Sequence, residues 1–268
     1  MKAIASRANA QFKALKSLAT DVREQRRQQL SLIDGSHLVA AYRDKIGLPL
    51  QLIVSEHGLA QAEIAALVAS LGGTAKVDTL LLKDDLFAAL SALTTPTGIM
   101  ALIPVPHVAT AMAAGASCLL LDAVQDAGNV GAILRSAAAA GLRNVFLGTG
   151  CASVWMPRVL RAAQGAHFDL VLREQADLGR VARGFEGCVV AAVPEAGQSL
   201  YQLDLGGAVA WLFGNEGAGV SPELLSLASH RASIPMAAGS ESLNVAAAAA
   251  VCLFEQVRQK QFATTGKR

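Results

Sequence analysis

The chain has 268 residues, 53% of them hydrophobic and 16% charged, with a net charge of +2. That balance excludes a disordered or low-complexity chain and allows one large domain or two modest ones. The longest apolar run is too short for a spanning helix, and Lys2, Arg7, Lys13 and Lys16 interrupt the N-terminus, so a cytoplasmic location without membrane partners is expected.

Residues 1–30 concentrate Lys2, Arg7, Lys13, Lys16, Arg23, Arg26 and Arg27 against Asp21 and Glu24. A solvated basic helix face and a nucleic-acid patch both fit that excess. A polar helix is expected from Gln11 to about Gln29, then a turn over Ser31–Gly35 and a helix from His37 to Lys45. A strand follows at Leu50–Val54. The spacing of Ile64, Leu67, Val68 and Leu71 predicts a helix over 59–71 that stops at Gly72 and Gly73. A helix at Lys83–Leu90 and a strand at Gly98–Ile103 complete a small α/β domain. Pro104 and Pro106 open a linker, and the domain boundary falls between about 104 and 115.

The second half alternates again. Strands are expected at Cys118–Val124, Asn144–Leu147, about 168–172, Cys188–Val193, Ala208–Phe213 and Arg231–Ile234. Helices are expected at 130–140, 157–164, 176–183, Pro222–Ala228 and Leu243–Gln259. Continuous apolar strands such as Cys118–Leu121 suit a parallel sheet covered on both faces. Cys118, Cys151, Cys188 and Cys252 form no C-x-x-C pair, and His37, His57, His107, His167 and His230 are scattered. No disulfide or metal site is therefore expected.

Chemistry has three places to sit. In Asn129-Val-Gly-Ala-Ile-Leu-Arg135, Asn129 fits a helix N-cap and Arg135 either a surface position or a cleft that holds an anion. In Phe213-Gly-Asn-Glu-Gly-Ala-Gly-Val-Ser221, three glycines allow a backbone to approach a ligand closely, and an ordinary turn is the alternative. In Ile234-Pro-Met236 through Ser242-Leu-Asn-Val245, Ser242 and Asn244 can cap the apolar helix that follows.

All three together, in this order and spacing, resemble the SpoU family of RNA ribose 2′-O-methyltransferases, within the trefoil-knotted superfamily. Ser6-Arg-Ala-Asn9 and Asp34-Gly-Ser-His-Leu-Val39 are similar to the RNA-binding domain of longer members, itself similar to a small ribosomal protein. Ala127 and Ala246 depart from the proline and serine common there, and Asp34 replaces a glutamate. The resemblance implies an RNA substrate-binding domain over 1–105 and a knotted α/β methyltransferase domain over 116–262. It implies S-adenosylmethionine as cofactor, held by Gly214, Ile234, Met236 and Leu243, and a catalytic set of Arg135, Asn129, Glu216 and Asn244. A homodimer and an RNA substrate are also implied, with ribosomal RNA favoured over transfer RNA.

One proposal for the family makes the arginine a general base. A guanidinium holds its proton tightly and offers little neutral base near neutral pH. In the other version Arg135 stays charged and clamps an RNA phosphate. A transfer-RNA methyltransferase and a non-catalytic RNA-binding protein of the same fold are the competing functions. Removing residues 1–105 is expected to weaken RNA binding strongly while cofactor binding persists, as filter binding and calorimetry would read.

Overall fold

Two units make up the chain, Met1–His107 with Trp155–Phe168 and Val108–Val154 with Asp169–Arg268. The computed structural model describes residues 1–72, 77–91, 95–106, 111–195, 197–238 and 242–265. His107, and Gly239, Ser240 and Glu241 within the third motif, lie outside the described residues.

The first unit begins with β1 (Lys2–Ile4). The polar helix expected over 11–29 is two helices, α1 (Ala10–Thr20) and α2 (Val22–Gln28). Asp21 separates them: its backbone is extended, and its side chain accepts from the N–H groups of Arg23 and Glu24 as an N-cap. The expected turn at 31–35 is a strand instead, β2 (Leu30–Asp34), buried along most of its length. It is followed by α3 (Ser36–Lys45), β3 (Gln51–Ser55), α4 (Glu56–Leu59), α5 (Ala62–Gly72), β4 (Asp78–Leu82), α6 (Asp84–Leu90) and β5 (Ile99–Pro104). The five strands form a mixed sheet in the order β1-β4-β3-β5-β2. Phe12, Leu15 and Leu18 of α1 pack with Leu32, Ile53, Leu80 and Phe87 in its core.

Residues 155–168, expected to serve the second half, belong to this first unit. Ser31 Oγ and Gln25 Nε2 both donate to the Trp155 carbonyl, at 2.5 and 2.6 Å. These bonds explain why two polar side chains sit fully buried on β2 and α2. The following helix, α8 in chain order (Pro157–Ala163), packs on β2, and the Phe168 ring meets Tyr42 edge-on at 5.5 Å. Asp34 closes β2 as a buried carboxyl. Burial pushes its pKa up, against the pull of hydrogen bonds from Ser91 and Thr97 and of the nearby Arg161 charge.

The second unit is built on β6 (Cys118–Leu121), α7 (Ala127–Ala139), β7 (Asn144–Leu147), β8 (Val171–Arg173), α9 (Leu178–Arg183), β9 (Cys188–Ala192), β10 (Gln198–Ser199), β11 (Val209–Phe213), α10 (Pro222–Ser226), β12 (His230–Ser233) and α11 (Val245–Thr265). Its seven strands run parallel in the order β10-β12-β9-β11-β6-β7-β8. All residues of β6 and β11 are buried, as expected for central strands of a parallel sheet covered on both faces. The α11 helix packs against α7. Its buried Gln256 accepts from Trp211 Nε1 at 2.9 Å and donates to Ser117 Oγ at 3.1 Å, which satisfies the indole donor in the core.

Truncation at residue 105 would strip α8 of the sheet on which it packs. Val159 and Leu160 are each 1% exposed, and uncovering an aliphatic side chain costs about 1.5–3 kcal/mol. The persistent cofactor binding expected of a chain without residues 1–105 is therefore not the outcome for the unaltered fragment beginning at residue 106, which is expected to aggregate or to bind a hydrophobic dye. Polar substitutions at Trp155, Val159 and Leu160 in that fragment should relieve the defect in size-exclusion chromatography.

Candidate active site

The carboxyl ends of β9, β11 and β12, three neighbouring strands, open into a cavity of about 440 Å³. Ligands in parallel α/β sheets bind at this end of the strands. All four residues expected to hold a cofactor line it: Gly214, Ile234, Met236 and Leu243. Glu216 and Asn244 line it too. Sequence reasoning missed Val193 and Pro194, which follow the end of β9. Their place just past an apolar strand was the available signal.

Gly214 is required by contact. A Cβ there would lie 2.1 Å from the Gly219 carbonyl carbon and 2.2 Å from Val220 N, far inside van der Waals range. The loop 215–219 doubles back because Asn215 and Gly219 exchange two backbone hydrogen bonds of 2.9 Å. This closure places Glu216 at the tip of the loop.

The expected N-cap role of Asn129 needs correction. Asp126 caps α7, accepting from Asn129 N–H at 2.8 Å, so the helix starts three residues earlier and Asn129 sits in its first turn. Its side chain is thereby released for another use. Asn129 Nδ2 donates to Glu216 Oε1 at 3.0 Å, and Asn244 Nδ2 donates to Asn129 Oδ1 at 2.9 Å. Asn244 also caps α11, accepting from the N–H groups of Ala246 and Ala247. One hydrogen-bonded chain thus joins a residue from each of the three motifs.

Glu216 receives further donors from the loop after β6, Asp126 N–H at 3.2 Å and Gln125 N–H at 3.3 Å. Partial burial acts to raise its carboxyl pKa. The hydrogen bonds from Asn129, its own backbone and the two amides outweigh that and hold it below the ordinary 4.5. The fourth expected residue stands apart from this chain. Arg135 lies six positions beyond Asn129 on α7, which is about 9 Å along the axis and on a different face. It is exposed, and no side chain among the described residues pairs with it.

Residues 116–254 match the profile of the SpoU rRNA methylase family. The chain belongs to that family. It is 32% identical to the 23S rRNA (guanosine(2553)-2′-O)-methyltransferase RlmP of Bacillus subtilis over 95% of this chain and 98% of RlmP. It is similar to the crystal structure of an RNA 2′-O ribose methyltransferase, with 28% identity, a TM-score of 0.83, and 97% and 99% of the two chains covered. It is likewise similar to the SpoU methyltransferase AviRb of Streptomyces viridochromogenes in complex with AdoMet, with 25% identity, a TM-score of 0.84, and 94% and 98% coverage.

Gly214→Ala is expected to lower the melting temperature by several degrees and to abolish cofactor binding in calorimetry, since the loop must open to admit the methyl group. Glu216, with its depressed pKa, keeps its charge and its hydrogen bonds above the unfolded value and loses them only as pH falls through the lower folded one. Its contribution to activity should therefore be flat from pH 7 to pH 5. A carboxyl-dependent fall within that window, absent in Glu216→Gln, would contradict the assigned hydrogen bonding.

Proposed function

We propose that this chain methylates a ribose 2′-hydroxyl of ribosomal RNA, and that the chain of hydrogen bonds from Glu216 through Asn129 to Asn244, beside the cavity, is where it does so. Likeness to RlmP along nearly the whole chain supports ribosomal over transfer RNA. S-adenosylmethionine is the methyl donor, and its sulfonium makes the methyl electrophilic without a metal or redox group. The cavity is of the size that holds such a ligand, and its Ile234, Met236 and Leu243 offer apolar walls for the adenosyl moiety. The close turn at Gly214 leaves backbone groups within reach of an adenine.

The protein's own groups position the nucleophile. Glu216 accepts from Asn129 and two backbone amides, so it orients Asn129 rather than serving as a ready base. Each asparagine side-chain nitrogen carries two hydrogens and spends one within the chain of bonds. The second N–H of Asn129 and of Asn244 is left for the ribose. Arg135, a guanidinium in solvent, holds an RNA phosphate beside the target ribose, and that phosphate or a water takes the hydroxyl proton. Holding the reacting oxygen in line accounts for a large share of the acceleration.

The same reading makes the first unit, with its basic α1 and α2, the RNA-binding part, similar to a small ribosomal protein. It divides the chain into functional domains over 1–105 and 116–262, with residues 155–168 packing into the first, and gives the second a knotted topology. The enzyme works in the cytoplasm as a homodimer whose sites lie near the interface, and the exposed Leu243 and Phe254 support that assembly. No described helix is long and apolar enough to cross a membrane.

Mapping 2′-O-methyl groups in total RNA from a deletion strain and its parent tests the substrate. One ribosomal ribose should lose its mark, and loss confined to transfer RNA would reject the assignment. Arg135→Ala is expected to cut methyl transfer about 100-fold or more while cofactor affinity stays within threefold. Near-normal turnover in that variant would remove Arg135 from the mechanism.

A further inference from the structure

We propose that Asn215 is the positioning residue that sets the Glu216 carboxylate, by bonding the glycine loop to the backbone of Ala123. This rests on the assignment of Glu216, Asn129 and Asn244 to the active site. Asn215 neighbours Glu216 in sequence and lines the same cavity, and its side chain takes no part in the Glu216–Asn129–Asn244 chain. Its Oδ1 accepts from Gly217 and Ala218 N–H at 2.9 and 3.0 Å, which fixes the turn that carries Glu216. Its Nδ2 donates to the Ala123 carbonyl at 2.9 Å.

Ala123 is the unexpected partner. Its φ of 53° is left-handed, a conformation in which a Cβ crowds the following carbonyl and which alanine avoids without outside support. The turn at Ala123 leads directly to Gln125 and Asp126, whose amides point at Glu216. If Ala123 relaxes to an ordinary conformation, those two donors swing off the carboxylate. One asparagine therefore holds both partners of the contact, the loop that bears the acid and the loop that bears its donors. A second tie at the far end of the glycine loop, Ser221 N–H to Asp122 Oδ2 at 2.8 Å, keeps the loops paired when Asn215 is changed.

Asn215→Ser tests this, because serine keeps an acceptor for the turn and is too short to reach Ala123. Methyl transfer from labelled S-adenosylmethionine to total RNA of the deletion strain should fall roughly 30- to 100-fold in kcat, as expected for a misplacement of about 1 Å. The melting temperature should change little. The Glu216 side-chain carbon, followed by NMR, should titrate at higher pH than in the parent protein. Adding Ala123→Gly should restore at least a tenfold part of the lost rate and return the titration downward, since glycine takes the left-handed conformation unaided. An unshifted Glu216 titration overturns the proposal, as does a rate loss that Ala123→Gly leaves untouched. The titration needs no RNA, so a parent protein that methylates none would reject the functional assignment and leave this test standing.

Discussion

A carboxylate at the tip of a glycine-rich loop has every reason to wander, and the second unit is arranged so that Glu216 does not. Its donors come from the loop after β6 and from the first turn of α7, while its own loop leaves the end of β11. These elements are in place because β6 and β11 pair in register from Cys118 with Ala210 to Leu121 with Phe213. The sheet therefore delivers acid and donors to the same edge. A one-residue slip in that pairing would carry the loop away and exchange every side chain between the two faces.

The same order of dependence runs through the cavity. The contact between Gly214 and Gly219 lets the backbone fold sharply at the mouth of β11. Ala192 and Ala232, small residues toward the ends of β9 and β12, line the cavity. Small side chains here keep the cavity open, because each methylene added at these positions would occupy its space. The alanine-rich composition, which by itself speaks only of close helix packing, acquires a second meaning at these positions.

What could be read from the residues alone depended on how local the cause was. The strand-loop-helix order of the second unit was legible because apolar runs and glycines signal it within a dozen residues. Gly214, Ile234, Met236 and Leu243 were placed in one cavity by motif resemblance, without knowledge of the strand order that brings them together. The strand at Leu30–Asp34 was read as a turn, since Ser31, Asp34 and Gly35 are turn formers. Ser31 is tolerated in a buried strand only because the Trp155 carbonyl, 124 positions away, accepts its hydroxyl. The start of α7 was misplaced because Asp126 and Asn129 are both good caps, and only the contact with Glu216 decides between them. Ala123 carries no mark of its left-handed backbone at all.

The passage of residues 155–168 into the first unit sets a schedule for synthesis. When His107 has been made, β2 still lacks the α8 helix, and the buried hydroxyl of Ser31 and amide of Gln25 still lack the Trp155 carbonyl. Those partners are added about fifty residues later. At roughly 5–20 residues per second, the nascent N-terminal half waits several seconds with part of its core uncovered, while the β6 to β7 region of the other unit is already emerging. The chain cannot complete its folding strictly from the N-terminus onward, and an insertion between residues 107 and 155 would lengthen that exposed interval.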